Sequence, residues 1–159
     1  MRLYRRVTLH LEQHINYPKW NDSHPGSDAI LEAIGNGELY ACEENGDIIG
    51  VTVLSENPEG YYEAGEWKRE LRRGEYLVIH TLAVDPDHSK KGIGGYMVDR
   101  CIELAQQRGY RAVRLDVVPD NLPAIRLYEK KGFTYAGEKD LRRNIAEIPV
   151  FGLYEYNIH

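Results

Sequence analysis

The sequence predicts an α/β domain with a mixed, mostly antiparallel central sheet of about seven strands and helices on both faces. Two observations support this prediction. Short runs of alternating or continuous apolar residues, typical of strands, recur along the 159-residue chain. Segments with apolar side chains three and four residues apart, typical of helices, lie between several of these runs. The predicted order of elements is β-α-α-β-β-β-α-β-α-β-β.

The first part of the chain contains one predicted strand, two predicted helices and a hairpin. These are a strand over residues 2–9, a short helix over 10–20 that stops near Pro18, a helix over 27–37 and a hairpin over 38–54. Ser27 or Asp28 is the predicted N-cap of the second helix. Asn45-Gly46 joins the two strands of the hairpin, because this dipeptide favours a tight turn.

After a polar loop over residues 55–75, predicted strands and helices alternate more regularly along the chain. The predicted elements are a strand covered on both faces over 76–84, a helix from 93 to 108, a strand over 111–118, a helix over 121–132 and strands over 133–138 and 150–158. Apolar residues four apart define the core-facing side of the longer helix, and Gly109 ends it. Asn121 is the predicted N-cap of the last helix, and Gly132 ends it.

Composition limits the class of protein. The formal charge of −5 and the pI near 5.7 argue against binding to bulk nucleic acid or to anionic membranes. Cys42 and Cys101 form no Cys-x-x-Cys pair, so neither a zinc site nor a disulfide framework is expected. No run approaches the roughly 20 apolar residues of a membrane span, and the first residues lack the apolar core of a signal peptide. We therefore expect one soluble, cytoplasmic domain over residues 1–159, without a metal.

The stretch DPDHSKKGIGGYM, residues 85–97, places three glycines between a predicted strand and a predicted helix. Backbone N–H groups at a helix N-terminus bind anions, and Lys90 and Lys91 supply positive charge nearby. The lysines precede the glycines, which excludes a Walker A loop. The spacing Gly-x-Gly-Gly also departs from the Rossmann fingerprint. A tight turn whose glycines serve packing alone is the alternative at this point.

Two motifs together resemble the acetyl-CoA-binding core of the GNAT superfamily of N-acetyltransferases. The first is the strand ending Leu82-Ala83-Val84 followed by the glycine stretch. The second is the pattern N-x-x-A-x-x-L-Y-x-x-x-G-F, which is intact from Asn121 to Phe133. The resemblance covers residues 76–140, and it implies a GNAT-like fold with acetyl-CoA as co-substrate.

The resemblance also implies the residues that contact the cofactor. Residues 82–84 would pair with the pantetheine arm like an added strand, and residues 89–95 would hold the pyrophosphate. The implied cofactor-binding residues are Leu82, Ala83, Val84, Ser89, Lys90, Lys91, Gly92, Ile93, Gly94, Gly95, Asn121, Ala124 and Tyr128. One departure stands out, because Ser89 occupies the place where the family usually carries arginine or glutamine.

The implied reaction is direct attack of an amine on the acetyl thioester. Tyr128 is the predicted acid for the departing thiolate, and a strand amide near Leu82 is the predicted donor to the carbonyl oxygen. His80 is the first candidate for the general base, followed by Asp116. Strand alternation places Asp116 on one face with Arg114, so an ordinary ion pair is its alternative role. Exposed Glu75 and a water chain without a single base remain open.

Aromatic and acidic residues in the predicted acceptor region suit a cationic amine. They are Tyr17, Trp20, His24, Tyr61, Tyr62, Glu63, Trp67, Phe151, Tyr154 and Tyr156. The acceptor class stays open between small amines, amino acids, polyamines, aminoglycosides and protein N-termini. A homodimer is a further expectation, with the C-terminal strand as its edge. The alternatives to an enzyme are a non-catalytic acyl-CoA-binding domain on the same fold and a nucleotide-binding protein unrelated to CoA.

Overall fold

The computed structural model describes residues 1–13, 16, 18–21, 25–89 and 91–159. Within these ranges six strands form one sheet in the order β1-β2-β3-β4-β6-β5. Their bounds are β1 Leu39–Glu44, β2 Asp47–Ser55, β3 Tyr76–Val84, β4 Ala112–Val117, β5 Thr134–Lys139 and β6 Phe151–Asn157. Only β3 and β4 run parallel among these neighbours. The predicted mixed α/β fold is confirmed, with six strands rather than about seven.

The described ranges contain four α-helices and two short 3₁₀ turns. The helices are α1 Arg2–Gln13, α2 Ser27–Gly35, α3 Ile93–Gln107 and α4 Leu122–Lys130, and the turns are Tyr62–Ala64 and Pro86–His88. None of these helices is long and apolar enough to cross a membrane. The predicted hairpin and the predicted order from β3 to β6 are confirmed.

The predicted first strand over residues 2–9 is wrong, because these residues belong to α1. The buried side chains Leu3, Tyr4, Val7 and Thr8 recur with the period of a helix rather than that of a strand. The helix predicted over residues 10–20 is the end of α1, which stops at Gln13. Residues 14, 15 and 17 of that prediction lie outside the described residues.

Two smaller predictions are also corrected. Gly26, and not Ser27 or Asp28, is the N-cap of α2, and no side chain caps that helix. Asp28 instead lies in the first turn, where its negative charge is favourable to the helix dipole. The C-terminal strand β6 is not an edge for dimerisation, because it lies between β4 and β5, and the edges of the sheet are β1 and β5.

Helices cover both faces of the sheet. On one face, α3 and α4 contribute Val98, Cys101 and Tyr128 to a cluster that includes Leu77 and Ile79 of β3. On the other face, α1 packs against β2 and β3 through a cluster of Leu3, Tyr4, Val7, Trp20, Ile30, Val51 and Ala83. The register of β3 shifts by one residue between His80 and Ala83, so Leu77 and Ile79 face one helical layer and Ala83 faces the other.

The parallel strands β3 and β4 separate along their length. Their pairing covers only the segment from Tyr76 opposite Ala112 to Val78 opposite Arg114. Beyond this point β3 continues to Val84 and β4 to Val117 without pairing to each other. This separation opens a cleft in the centre of the sheet.

Candidate active site

The cleft between the separated strands has a volume of about 920 Å³. Strands β3 and β4, helix α4, the segment after α1 and the segment that leads into β6 all contribute to its wall. The predicted site residues that line it are His80, Leu82, Ala83, Val84, Ser89, Asp116, Asn121 and Tyr128. The fold therefore brings together candidate catalytic and cofactor-binding residues from three separate segments of the chain.

A β-bulge interrupts β3 at the inner end of the cleft. Val51 of β2 lies opposite Ala83 and Val53 lies opposite His80, so two residues of β3, Thr81 and Leu82, correspond to one residue of β2. Thr81 has a φ of +47°, which is rare for a β-branched residue. The bulge changes the direction of the backbone where β3 leaves β4.

Tyr128 lies on α4 and faces the cleft. Its side chain is 7% exposed, and its ring packs against Phe133 with ring centroids 5.7 Å apart. Burial raises the pKa of Tyr128 above its ordinary value, and the nearby Cys101 and Asp116 raise it further. The hydroxyl therefore stays protonated at neutral pH and can donate a proton.

Asn121 positions α4 at the cleft. Its Oδ1 accepts a hydrogen bond of 3.4 Å from the backbone N–H of Ala124, which confirms the predicted N-cap. Ala124 is partly buried against the core cluster that contains Tyr128. The capping role of Asn121 is thus established by geometry, while its contact with a cofactor arm stays a prediction.

His80 lines the cleft with one ring nitrogen already bonded. Its Nε2 lies 2.9 Å from the carbonyl oxygen of Asn57. Because a carbonyl only accepts, Nε2 carries the hydrogen in this bond. In the neutral ring the lone pair then lies on Nδ1, so this nitrogen is the one that could accept a proton.

Asp116 is held by two donors. The Tyr62 hydroxyl donates to Oδ2 at 2.6 Å, and Arg143 Nη1 donates to Oδ1 at 3.0 Å. Arg143 also pairs with Glu59 at 3.0 Å. The alternative role of Asp116, an ordinary ion pair, is observed with Arg143 and not with Arg114, which donates to a backbone carbonyl and lies over two aromatic rings. Both oxygens of Asp116 are engaged, so the geometry favours His80 over Asp116 as the base.

Replacing Arg143 with methionine is expected to destabilise the fold by about 2–3 kcal/mol, because Asp116 would remain largely buried without its cation. The side chains of Arg143 and Asp116 are 16% and 11% exposed. The expected fall in Tm is about 5–10 °C in thermal denaturation. The neighbouring Arg142 is exposed and lies over the Tyr61 ring, so Arg142→Met is the matched control and should cost less than about 0.5 kcal/mol. Equal losses in the two variants would contradict this account of the ion pair.

The glycine stretch forms the N-terminus of α3. Gly92 is the N-cap, with a φ of +72° that favours glycine. The first intrahelical hydrogen bond runs from the Tyr96 N–H to the Gly92 carbonyl. Gly94 and Gly95 allow close packing against α4, because added Cβ atoms would lie 3.3 Å from Leu127 and 3.0 Å from Lys131. Packing therefore accounts for two of the three glycines.

Two described side chains of this stretch have partners within the protein. Ser89 Oγ donates to the Pro86 carbonyl at 3.1 Å, and Lys91 lies 3.9 Å from Glu44. Lys90 lies outside the described residues. Among the described residues, the groups that remain for an anion are mainly the main-chain N–H groups at the start of α3, which include that of Ile93.

The other candidates in the acceptor region differ in location, and two of them, Tyr61 and Glu63, are exposed. Trp20 and Phe151 line the cleft, while Tyr17 and His24 lie outside the described residues. The remaining aromatic candidates that belong to core clusters are Tyr62, Trp67, Tyr154 and Tyr156. Glu75 immediately precedes β3, at the end that is paired to β4, and bonds to the backbone of Arg72, so its position argues against a role as base.

Three residues that bond to β3, to β4 or to the segment after β3 were missed by sequence reasoning. Tyr4 bonds to the bulge, Arg143 bonds to Asp116, and Arg6 binds Asp85 through both carboxylate oxygens at 2.6 and 3.1 Å. The helical spacing of buried residues in α1 was the available signal for Tyr4. Nothing in the irregular segment around Arg143 indicates its partner.

Comparison with known proteins identifies the family. The model of the acetyltransferase (GNAT) family matches residues 6–133. The chain belongs to the GNAT family. This confirms the resemblance inferred from the two motifs.

Relatives of this GNAT protein include an uncharacterized N-acetyltransferase of Methanocaldococcus jannaschii, 34% identical over 60% of this chain and 38% of the relative. The matched region thus spans well under half of that protein. S-(2-succino)cysteine N-acetyltransferase of Bacillus subtilis is 32% identical over 75% of this chain and 68% of the relative. A Salmonella typhimurium structure, a putative acetyltransferase with its cofactor acetyl-CoA, has a TM-score of 0.68 at 19% identity and covers 96% of this chain and 85% of that chain.

One edge of β3 in this GNAT domain is open inside the cleft. The edge of β3 that faces β4 has no strand partner beyond Val78 among the described residues. Main-chain groups of this edge other than the carbonyls of His80 and Thr81, which accept hydrogen bonds from side chains, are therefore available to a ligand that lies along it. The N-terminus of α3 lies further along the same chain direction. No cluster of three or more His, Cys, Asp or Glu side chains in the described ranges could hold a metal ion.

Proposed function

We propose that this protein is an N-acetyltransferase that moves the acetyl group of acetyl-CoA directly to a primary amine. One observation carries the proposal: a proton donor and a proton acceptor line the same cleft, at the point where β3 and β4 separate. The donor is the buried hydroxyl of Tyr128. The acceptor is Nδ1 of His80, whose other nitrogen is bonded to Asn57.

In this proposal the open edge of β3 at residues 82–84 binds the pantetheine arm, and the N-terminus of α3 binds the pyrophosphate. The first arrangement uses the unpaired strand edge, and the second uses main-chain N–H groups together with the helix dipole. Gly92 supports the second arrangement. A Cβ at this position would meet no atom within 4 Å, so the backbone there is open to an approaching group.

When bound, acetyl-CoA supplies a thioester whose carbonyl carbon an amine attacks, forming the C–N bond as the C–S bond breaks. Tyr128 donates its hydroxyl proton to the departing sulfur. Because the pKa of a thiol, near 8.5, lies below that of this tyrosine, the proton moves together with cleavage of the C–S bond and not before it. His80 accepts the proton that the amine nitrogen loses. A water molecule can then carry a proton back to Tyr128, since the cleft is open to solvent.

The acceptor in this proposal is a cationic primary amine, on a small molecule or a protein N-terminus. The carboxylates Glu59, Asp116 and Glu147 line the cleft, against the cations Lys19 and Arg143, so the lining favours a positively charged ligand. The Bacillus subtilis relative is named for an amino-acid derivative. Amino acids and their derivatives are therefore the first acceptors to test.

The test is a thiol-release assay across classes of amine. Acetyl-CoA alone is expected to raise the Tm, because a ligand that binds the folded state stabilises it. Free thiol is expected to appear only when an acceptor amine is added, and in proportion to acetylated product. Desulfo-CoA lacks the thioester and serves as the control ligand, which should stabilise the protein without supporting transfer.

Stabilisation by acetyl-CoA without thiol release across amino acids, polyamines, aminoglycosides and peptide N-termini would contradict the enzymatic proposal. That result would favour the second candidate, a non-catalytic acyl-CoA-binding domain on the same fold. Absence of both stabilisation and release would contradict both candidates.

A further inference from the structure

The bulge in β3 contains an unfavourable backbone conformation directly before residues 82–84, the edge proposed to bind the pantetheine arm. Thr81 is β-branched, yet its φ of +47° lies in the left-handed region that such residues rarely adopt. Conformations of this kind persist only where the surrounding structure maintains them. The hydrogen bonds on either side of Thr81 show what maintains this one.

Two hydroxyl groups bind the peptide groups that flank Thr81. The Tyr4 hydroxyl lies 2.9 Å from the Thr81 carbonyl oxygen, to which it donates, and 3.2 Å from Thr81 Oγ1. The Thr52 hydroxyl donates to the carbonyl oxygen of His80 at 3.0 Å. Tyr4 is 2% exposed and 77 residues away in sequence, so this contact depends on the packing of α1 against the sheet.

The position of α1 relative to the bulge is fixed by further contacts. The Tyr4 ring meets Trp20 edge to face, with ring centroids 5.9 Å apart. Arg6, half a turn further along the same helix, holds Asp85 just beyond the end of β3. Helix α1 is therefore attached to β3 on both sides of residues 82–84.

The bond from Tyr4 determines the direction of the next N–H group. In a planar trans peptide, the C=O of Thr81 and the N–H of Leu82 point in opposite directions. Tyr4 draws the carbonyl toward the face of the sheet that α1 covers. The N–H of Leu82 then points away from α1, toward the face where the Leu82 side chain packs against the cluster that contains Tyr128.

We propose that Tyr4 is a positioning residue for acetyl transfer: its hydroxyl fixes the Thr81–Leu82 peptide so that the Leu82 N–H points to the side of β3 where Tyr128 lies. There the N–H donates to the thioester carbonyl oxygen as negative charge develops on it. This inference rests on the proposed function, but the contact of Tyr4 with the bulge exists in the free protein and can be tested without it.

The ionisation of Tyr4 agrees with this role. Burial raises the pKa of Tyr4 to about 12, and the hydrogen bond with Thr81 opposes that rise only in part. The hydroxyl therefore stays protonated throughout the pH range of an activity assay, and it remains a donor to the Thr81 carbonyl.

The first test is Tyr4→Phe, which removes the hydroxyl and retains the ring. Loss of one oxyanion donor costs 10²–10³ in turnover, so loss of its alignment is expected to lower kcat by about 10-fold or more, with little change in the KM for acetyl-CoA. The control is Thr8→Val, a buried position on the same helix that has no contact with the bulge among those described. An unchanged kcat in Tyr4→Phe, or an equal fall in Thr8→Val, overturns the proposal.

The second test uses glycine at position 81, because glycine adopts a positive φ without strain. In a Thr81→Gly background, Tyr4→Phe is expected to reduce kcat less than it does in the parent protein. If Tyr4→Phe lowers kcat by the same factor in both backgrounds, Tyr4 does not act by maintaining the conformation of the bulge.

The third test needs no activity. In the free protein labelled with ¹⁵N-leucine, Tyr4→Phe is expected to move the Leu82 amide resonance, while Thr8→Val leaves it in place. An unmoved Leu82 resonance in Tyr4→Phe overturns the inference. If the parent protein transfers no acetyl group to any amine, the proposed function fails, while this measurement still decides whether Tyr4 orients the Leu82 peptide.

Discussion

Replacing Tyr128 with phenylalanine is expected to lower turnover by about 100-fold or more while leaving the affinity for acetyl-CoA almost unchanged. The phenyl ring keeps the packing against Phe133, so only the hydroxyl is lost. General acid catalysis contributes 10²–10⁴ in rate, and a thiolate without a proton donor leaves slowly from a carbonyl carbon. Steady-state kinetics with a fixed amine acceptor, together with calorimetric binding of CoA, separates the two quantities.

Tyr76→Phe is the matched control for this experiment. Tyr76 is also a buried tyrosine, but it belongs to a separate core cluster that includes Val78 and Leu153 and not Tyr128. Its loss of a hydroxyl should leave turnover within about twofold, since the cleft is untouched. Turnover that is unchanged in Tyr128→Phe would remove Tyr128 from the mechanism. A smaller effect of Tyr128→Phe on turnover of a thioester whose leaving thiol has a low pKa would strengthen the assignment, because such a leaving group needs less protonation.

The pH dependence of the parent protein gives an independent check on Tyr128. Its pKa is raised by burial, so the hydroxyl remains protonated beyond pH 10. As pH rises from 7 to 10, no loss of activity should come from ionisation of this group. An alkaline decline in that range which disappears in Tyr128→Phe would contradict the direction of the shift.

The sequence predicted the central part of the fold because its signals are local. The continuous apolar run predicts β3, and the apolar residues four positions apart predict α3. Both elements are present in the structure. The N-cap at Asn121 and the end of α4 at Gly132 also depend on neighbours within a few residues. Predictions of this kind need no knowledge of the packing partner.

The sequence predicts a strand where the first helix lies, because residues 2–9 satisfy two periods at once. Leu3 and Tyr4 are followed by Val7 and Thr8, a spacing that fits a helix, but Leu3, Val7 and Leu9 also fit alternation. Packing against β2 and β3 decides between the two. The choice is therefore made by tertiary contacts, which a short segment does not contain.

The side-chain contacts in the cleft also depend on segments that are distant in the sequence. His80 and Tyr128 were accessible from motifs, whereas the partner of Asp116 was not, because Arg143 lies in an irregular segment 27 residues further along. This contact affects the assignment of the base. Because both carboxylate oxygens of Asp116 accept hydrogen bonds, His80 is the first residue to test as the base.

Replacing His80 with alanine is expected to lower turnover by about 100-fold at pH 7 and to remove the acidic limb of the pH–rate profile. In the parent protein, activity should fall toward acid pH, because the imidazole accepts a proton from the amine only in its neutral form. His80→Gln is the second variant, since its amide can still donate to the Asn57 carbonyl while offering no basic nitrogen. Loss of activity in both variants assigns the effect to Nδ1 and not to the bond with Asn57.

Asp116→Asn is the comparison that decides between the two candidate bases. The amide retains an oxygen for Tyr62 or Arg143, so the acidic limb should persist in this variant if His80 is the base. A limb that disappears in Asp116→Asn and persists in His80→Ala would reverse the assignment. A limb that persists in both variants would mean that no single side chain accepts the proton, and that an ordered path of water molecules along the cleft carries it to solvent.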